Sequence, residues 1–230
     1  MSWISYPGVP AACRKQDGPR LLPRLLLAVL ALGLLGATDG KRRVDDFDSH
    51  AGELLVAAAS MPDPRFRESV ILMLRHNAEG AMGLIVNKTV AEAPLAMLLD
   101  DPDGKGKRFQ RKVRIHYGGP VEPRRGFVLH RLDFAIDGTM VVENGYGVTS
   151  NAEIVEALAE GEGPKQAVVA FGYAGWGAGQ LDGEIQQNAW LHVPADDALV
   201  FDSDFDTKWE RSIAKIGFDP ALLAGDAGHA

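Results

Sequence analysis

Two apolar runs joined by a short turn constrain this chain more than any other feature. Residues 69–76 read Ser-Val-Ile-Leu-Met-Leu-Arg-His and residues 81–87 read Ala-Met-Gly-Leu-Ile-Val-Asn, with Asn77-Ala78-Glu79-Gly80 between them. Runs of this length around a turn whose glycine tolerates positive φ predict a β-hairpin. A hairpin with one wet face alternates apolar and polar residues. Here almost every position is apolar, so both faces are expected to be covered. The rest of the domain has to supply those coverings, and its patterning predicts one α+β unit.

Upstream of the hairpin, residues 53–59 form a short apolar run ended by Ser60, Met61 and Pro62. Downstream, residues 91–99 predict a helix with Pro94 in its first turn, followed by a charged loop over 100–107. Strands are expected at 113–117, 126–131, 139–143 and 167–171. Ser150-Asn151-Ala152-Glu153 is a capping box opening a helix over 152–159, with Ile154, Val155 and Leu158 as its apolar stripe. A glycine-rich loop over 172–180 leads into a helix over 180–188 carrying Leu181 and Ile185. Asp206 is expected to cap a last helix over 207–216, with Trp209, Ile213 and Ile216 facing the core and Gly217 ending it.

The net charge of −7 hides two unlike pieces. Residues 1–43 carry seven basic side chains (Arg14, Lys15, Arg20, Arg24, Lys41, Arg42, Arg43) and two acidic ones (Asp17, Asp39). That makes +5, and the remaining 187 residues hold −12. Residues 25–37 form an uncharged stretch shorter than the roughly 20 apolar residues of a membrane span but suited to a secretory h-region, with small residues at Gly36, Ala37 and Thr38. Leu35 fits a cleavage site poorly, and Cys13 lies upstream of the run, so no lipoprotein acylation site is present. The reading is a signal-like or anchoring leader, which would make the protein exported or membrane-anchored, with membrane contact only through residues 21–37 if uncleaved. A buried amphipathic extension and an upstream-start extension are the alternatives, the latter with a cytoplasmic protein. The expected organisation is leader 1–43, linker 44–51, domain 52–217 and tail 218–230.

Chemistry-bearing motifs are sparse. The single cysteine precludes an internal disulfide and a thiolate metal cluster. No G-x-S-x-G elbow, H-E-x-x-H helix or C-x-x-C pair occurs. Asp202-Ser203-Asp204-Phe205-Asp206 has alternating carboxylates, but Thr207 and Ile213 stand where an EF-hand needs glycine and glutamate. The stretch Gly172-Tyr173-Ala174-Gly175-Trp176-Gly177-Ala178-Gly179-Gln180 has neither dinucleotide-fingerprint nor Walker spacing. Two readings of it stay open: a cradle of backbone N–H groups for a ligand, or a tight connection packed under two aromatics. His116 and His130 lie on separate expected strands, where convergence would make them ligands or an acid–base pair. Asp63 and Arg65 flank Pro64 in a turn and are expected to pair locally.

Five blocks in order resemble the YqgE/AlgH family of bacterial proteins. They are Ser60-Met61-Pro62-Asp63-Pro64-Arg65-Phe66 with residues 76–87; Gly118-Gly119-Pro120-Val121; Arg125-Gly126-Phe127-Val128-Leu129-His130; residues 172–181; and Glu184-Ile185 with Asn188-Ala189-Trp190-Leu191. The resemblance implies a single α+β domain in which a bifurcated mixed sheet forms a pseudo-barrel flanked by helices. Family members carry the label of transcriptional regulators through a link to alginate production, and no established reaction or cofactor comes with it. Typical members are cytoplasmic and begin just before the Gly52 block, so the leader departs from the pattern. The domain's −12 charge and the lack of a helix-turn-helix pattern speak against direct DNA binding.

Two functional classes follow. The first is a non-enzymatic regulatory module that binds a small ligand or a protein partner, with no nucleic acid, no metal set and no catalytic residue assigned. Its expected ligand-binding residues are Arg65, Gly118, Gly119, His130, Tyr173, Gly175, Trp176, Gly177, Gly179 and Gln180. The alternative is an enzyme using a histidine–carboxylate pair near the glycine-rich stretch, His130 or His76 with Glu184 or Asp63.

Overall fold

The expected hairpin forms from β2 (Val70–Asn77) and β3 (Gly80–Ile85), paired antiparallel with Ile71 opposite Ile85 and a bulge between Met73 and Arg75. Both of its faces are buried. Val70, Leu72, Leu74 and Leu84 point into one apolar cluster, and Ile71, Met73, Ala81 and Ile85 into another. This is the coverage that the unbroken apolar runs demanded. The computed structural model describes residues 48–99 and 111–217. The leader, the loop over 100–107 and the tail from 218 lie outside the described residues.

β1 (Leu54–Ala57), β4 (Thr89–Pro94), β5 (Lys112–Tyr117), β6 (Val121–Arg131), β7 (Met140–Val142), β8 (Tyr146–Thr149), β9 (Ala167–Gly177) and β10 (Trp190–Val193) complete a ten-stranded curled sheet. Its main path runs β10-β1-β2-β3-β9-β6-β8-β7, with β4 and β5 branching off it. Four α-helices accompany it among the described residues: α1 (Ala152–Glu160), α2 (Gln180–Gln186), α3 (Asp197–Phe201) and α4 (Lys208–Lys215). None of them is long and apolar enough to cross a membrane.

The sheet forks at β9. One edge of β9 pairs antiparallel with β6; the other pairs in parallel with β5 over residues 169–171, then antiparallel with β3 over 174–177. β5 and β6 therefore flank β9 on opposite sides, although only Gly118, Gly119 and Pro120 separate them in sequence. The chain steps across the β9 backbone at this point. The Gly118 N–H donates to the Phe171 carbonyl at 2.8 Å, and the Gly118 carbonyl accepts from the Ile85 N–H at 3.0 Å. At Gly119, with φ of +150°, a Cβ would overlap the Tyr173 carbonyl and the Ala174 nitrogen.

Three apolar clusters fill the layers. The inner one takes residues from most strands together with Leu199, Val200 and Ile213 of α3 and α4. A second is covered by Leu181 of α2 and by Phe66 from the turn after β1. The third lies under Ile154, Val155 and Leu158 of α1 and Leu95 of a 3-10 turn (Leu95–Leu98). Each fully buried leucine or valine contributes about 1.5–3 kcal/mol, so these layers dominate stability.

Several local expectations are corrected. Residues 91–94, expected to open the helix over 91–99, instead belong to β4, which pairs with β5 (Glu92 opposite Arg114, Ala93 opposite Val113). The ladder satisfies those backbone groups, and Pro94 ends the strand where its missing N–H does no harm. The glycine-rich segment is not a loop up to 177: β9 continues through it, with Gly177 opposite Gly80 and Gly175 opposite Met82. The capping-box expectation fails because Asn151, not Ser150, occupies the N-cap, and its side chain donates instead to the Asp137 carbonyl at 3.0 Å. Thr207, not Asp206, precedes the last helix, without a side-chain cap. α2 ends at Gln186, two residues before the expected boundary, and Asn188 turns into positive φ.

Candidate functional site

The family-like motif residues gather first around one carboxylate. Glu184, one turn into α2, accepts from the indole N–H of Trp176 at 2.9 Å and of Trp190 at 2.8 Å through Oε2, and from Gln180 Nε2 at 2.9 Å through Oε1. Phe66 stacks on Trp176 with ring centroids 6.4 Å apart and meets Trp190 edge-on at 5.6 Å. Gln180 Oε1 accepts the Gly177 N–H at 3.1 Å. The glycine-strand end, α2 and β10 are thereby clamped by charge-assisted hydrogen bonds to one side chain.

The other sequence-derived candidates divide by position. Arg65 sits beside this clamp, 5.8 Å from the Phe66 ring centroid, and pairs with Asp63 at 2.6 Å as expected. That pairing holds the Asp63 carboxyl below its ordinary pKa. Gly118, Gly119 and Tyr173 meet at the strand crossing. Gly175 and Gly177 lie in the β3–β9 ladder, and Gly179 is the residue before α2. His130 belongs elsewhere: it is fully buried on β6, with Nδ1 donating to the Arg131 carbonyl at 2.8 Å and Nε2 accepting from the Thr149 hydroxyl at 2.9 Å.

His116 and His130 do not converge, since β5 and β6 lie on opposite edges of β9. The acid–base pairs suggested by sequence are likewise not assembled: Glu184 holds two indoles and Asp63 holds Arg65. His76 instead approaches Asp182, with Nε2 to Oδ2 at 3.6 Å. Burial pulls the His76 pKa down, partly opposed by Asp182.

A cavity of about 240 Å³ opens beside His116. Its wall includes Arg111, Arg114 and Lys165 with the apolar Leu95, Phe201 and Phe205, and no acidic residue lines it among the described residues. The β5 alternation places Arg114 and His116 on one strand face and Ile115 on the other, in the third cluster, whose Leu95, Val113, Leu158 and Val169 also line the cavity. Phe205, from the segment between α3 and α4, closes on His116 edge-on at 5.0 Å and lies 5.0 Å from the Arg114 guanidinium carbon. His116 is 3% exposed. Its Nδ1 lies 3.2 Å from the Val169 carbonyl, which can only accept, so Nδ1 carries the proton. Nε2 is then a buried acceptor, and it has no hydrogen-bond partner among the described residues.

Burial, with nearby Lys208 and Arg114 adding to it, pushes the His116 pKa down to about 4. The unfolded imidazole protonates near 6.5, so between these values the unfolded chain binds more protons than the folded one. His116 therefore stabilises the fold fully above pH 6.5, and roughly 3 kcal/mol is lost as pH falls towards 4. Denaturant titrations over this window should show that decline, and His116→Phe should flatten it; an unchanged slope in the variant would refute the assignment.

Sequence reasoning missed Arg111, Arg114, Lys165 and Phe205. The period-two alternation of Arg114 and His116 was the one available signal for them.

A family model described as AlgH-like matches residues 54–221. The chain is similar to a UPF0301 protein of Nitrobacter hamburgensis, 44% identical over 206 residues covering 83% of this chain and 95% of that one. It is also similar to a UPF0301 protein of Methylobacterium nodulans, 48% identical over 187 residues covering 78% and 89%. Among solved structures it resembles the solution structure of the AlgH protein from Pseudomonas aeruginosa, with a TM-score of 0.63, 36% identity and coverage of 78% of this chain and 95% of that one. A Corynebacterium diphtheriae crystal structure, at 20% identity and a TM-score of 0.60, shares the fold and covers 75% and 90%.

Proposed function

The chain belongs to the AlgH-like family, and from that premise we propose that its domain is a non-enzymatic binding module for a small organic anion, taken up at the His116 cavity. The observation that carries this reading is the buried, unpartnered Nε2 of His116, a residue lining a cavity whose ionisable lining among the described residues is otherwise all cationic. A buried acceptor left without a donor costs about 1–3 kcal/mol, which a ligand hydroxyl or N–H would recover. Arg111, Arg114 and Lys165 supply the complementary charge for a carboxylate or phosphate on the same molecule. The ligand class is thus an organic anion that also carries a hydrogen-bond donor, such as a hydroxycarboxylate or a sugar phosphate.

A regulatory effect would run through occupancy of this cavity and not through nucleic acid. Outside the leader the chain carries −12, and a phosphate backbone would be repelled over most of that surface. Thermal-shift measurements on residues 44–230 with a panel of hydroxycarboxylates and sugar phosphates test the reading. At least one compound should raise Tm for the wild type and fail to do so for Arg114→Ala and His116→Phe. In the same preparation, duplex DNA should show no salt-sensitive mobility shift. A panel without a hit, or a hit that both variants retain, would sink the proposal.

A further inference from the structure

We propose that His50, Glu53 and His192 form a binding site for one divalent transition-metal ion of the zinc class, independent of the cavity at His116. Glu53 Oε2 lies 3.0 Å from His50 Nδ1 and 3.6 Å from His192 Nδ1. The three donor atoms all fall within 4.8 Å of one another. Bonds of about 2.0–2.2 Å arranged tetrahedrally separate neighbouring donors by roughly 3.3–3.5 Å, so only small side-chain adjustments would close the three on an ion. Two imidazoles and a carboxylate make a borderline donor set that suits zinc and its neighbours; magnesium and calcium call for oxygen throughout.

The backbone brings these residues together for reasons unconnected with their chemistry. His192 on β10 stands opposite Leu55 on β1, and Glu53 lies two residues before Leu55, so the two side chains project from the same sheet face. His50 reaches the cluster through a turn closed by the Glu53 N–H donating to the His50 carbonyl at 3.1 Å. That turn is tied to β2 by the Gly52 N–H to Met73 carbonyl bond at 2.8 Å and the Met73 N–H to Glu53 carbonyl bond at 2.9 Å.

His76 supports the site from behind. Its ring stacks on His50 at 5.4 Å with planes 11° apart, its Nδ1 lies 3.4 Å from the His50 N–H, and its Nε2 faces Asp182. It therefore orients the His50 ring and is not itself a ligand. Exposure rises outward, from 12% for the His50 side chain through 33% for Glu53 to 57% for His192. An ion can enter from solvent, and three protein donors leave a coordination position for water or another small molecule. A simple His50–Glu53 hydrogen bond would not require His192 to turn towards the same carboxylate oxygen.

The full-length protein, stripped with chelator, should be titrated with zinc sulfate by calorimetry and with cobalt(II) chloride followed by visible absorption. One ion per chain is expected, with a cobalt ligand-field band that disappears on adding zinc. His192→Ala, at an exposed position, should weaken binding by roughly 100-fold while leaving the circular dichroism spectrum unchanged, and Glu53→Gln should weaken it as well. Absence of stoichiometric binding, or equal binding by the wild type and His192→Ala, would overturn the proposal.

Discussion

Gly119→Ala is expected to lower stability by about 4 kcal/mol or more, a loss of roughly 10–15 °C in Tm for a domain of this size. The added methyl group would overlap the carbonyl of Tyr173 and the nitrogen of Ala174. Both are backbone atoms of β9, which is paired on both edges and cannot retreat without breaking ladder bonds. The residue also holds a φ of +150°, which side-chain-bearing residues rarely adopt. Gly183→Ala provides the contrast. That glycine lies within α2 and a Cβ there meets nothing within 4 Å, so alanine should be neutral or stabilise by about 0.5–1 kcal/mol. Chemical denaturation of both variants checks the pair, and a Gly119→Ala protein within 1 kcal/mol of wild type would refute the strand-crossing argument.

Glu184→Ala should cost about 3 kcal/mol, because it strands two part-buried indole N–H groups at once. Glu184→Gln should cost less, about 1–2 kcal/mol. Its oxygen can still accept from the indoles, but its amide would then set donor against donor at Gln180 Nε2. Because the carboxylate bonds two of the four tryptophans, the loss should appear as an altered near-ultraviolet circular dichroism and tryptophan emission spectrum before global unfolding. Wild-type stability in Glu184→Ala would show that the aromatic cluster holds α2 without the carboxylate.

The motif residues had two open readings, and the particulars divide them physically. The glycines at 118 and 119 are accounted for by backbone passing close to backbone at the crossing, whereas Gly175 and Gly177 lie in the β3–β9 ladder, where a Cβ would meet only the side chains of Tyr173 and Val121 or of Gln180. Trp176, Gln180, Glu184 and Trp190 are accounted for by one clamp. The chemistry these motifs leave unused lies elsewhere, at the unpartnered Nε2 of His116 among cations and in the cluster of His50 with Glu53 and His192. Neither grouping has a complete local signature: Arg114 and His116 are neighbours, as are His50 and Glu53, but Lys165, Phe205 and His192 come from segments distant in sequence. Residues 91–94, strand where a helix start is expected, show the same dependence on distant segments. Proline near the start of an apolar stretch opens a helix as readily as it closes an edge strand, and only the neighbouring β5, with the Leu95 N–H donating to the Arg111 carbonyl at 2.9 Å, decides between them.

By itself, the amino-acid sequence determined the apolar hairpin and its two covered faces, the apolar stripe of α1, the acidic character of the domain and the order of its motif blocks. These are properties of neighbouring residues, set by side-chain periodicity and composition. Tertiary structure alone decided that the sheet forks at β9, that the chain crosses that strand on two glycines, and which histidines meet carboxylates or stand among cations. Those outcomes depend on hydrogen-bonding edges and side-chain directions contributed by segments far apart in the chain, and these acquire positions relative to one another only when the sheet closes.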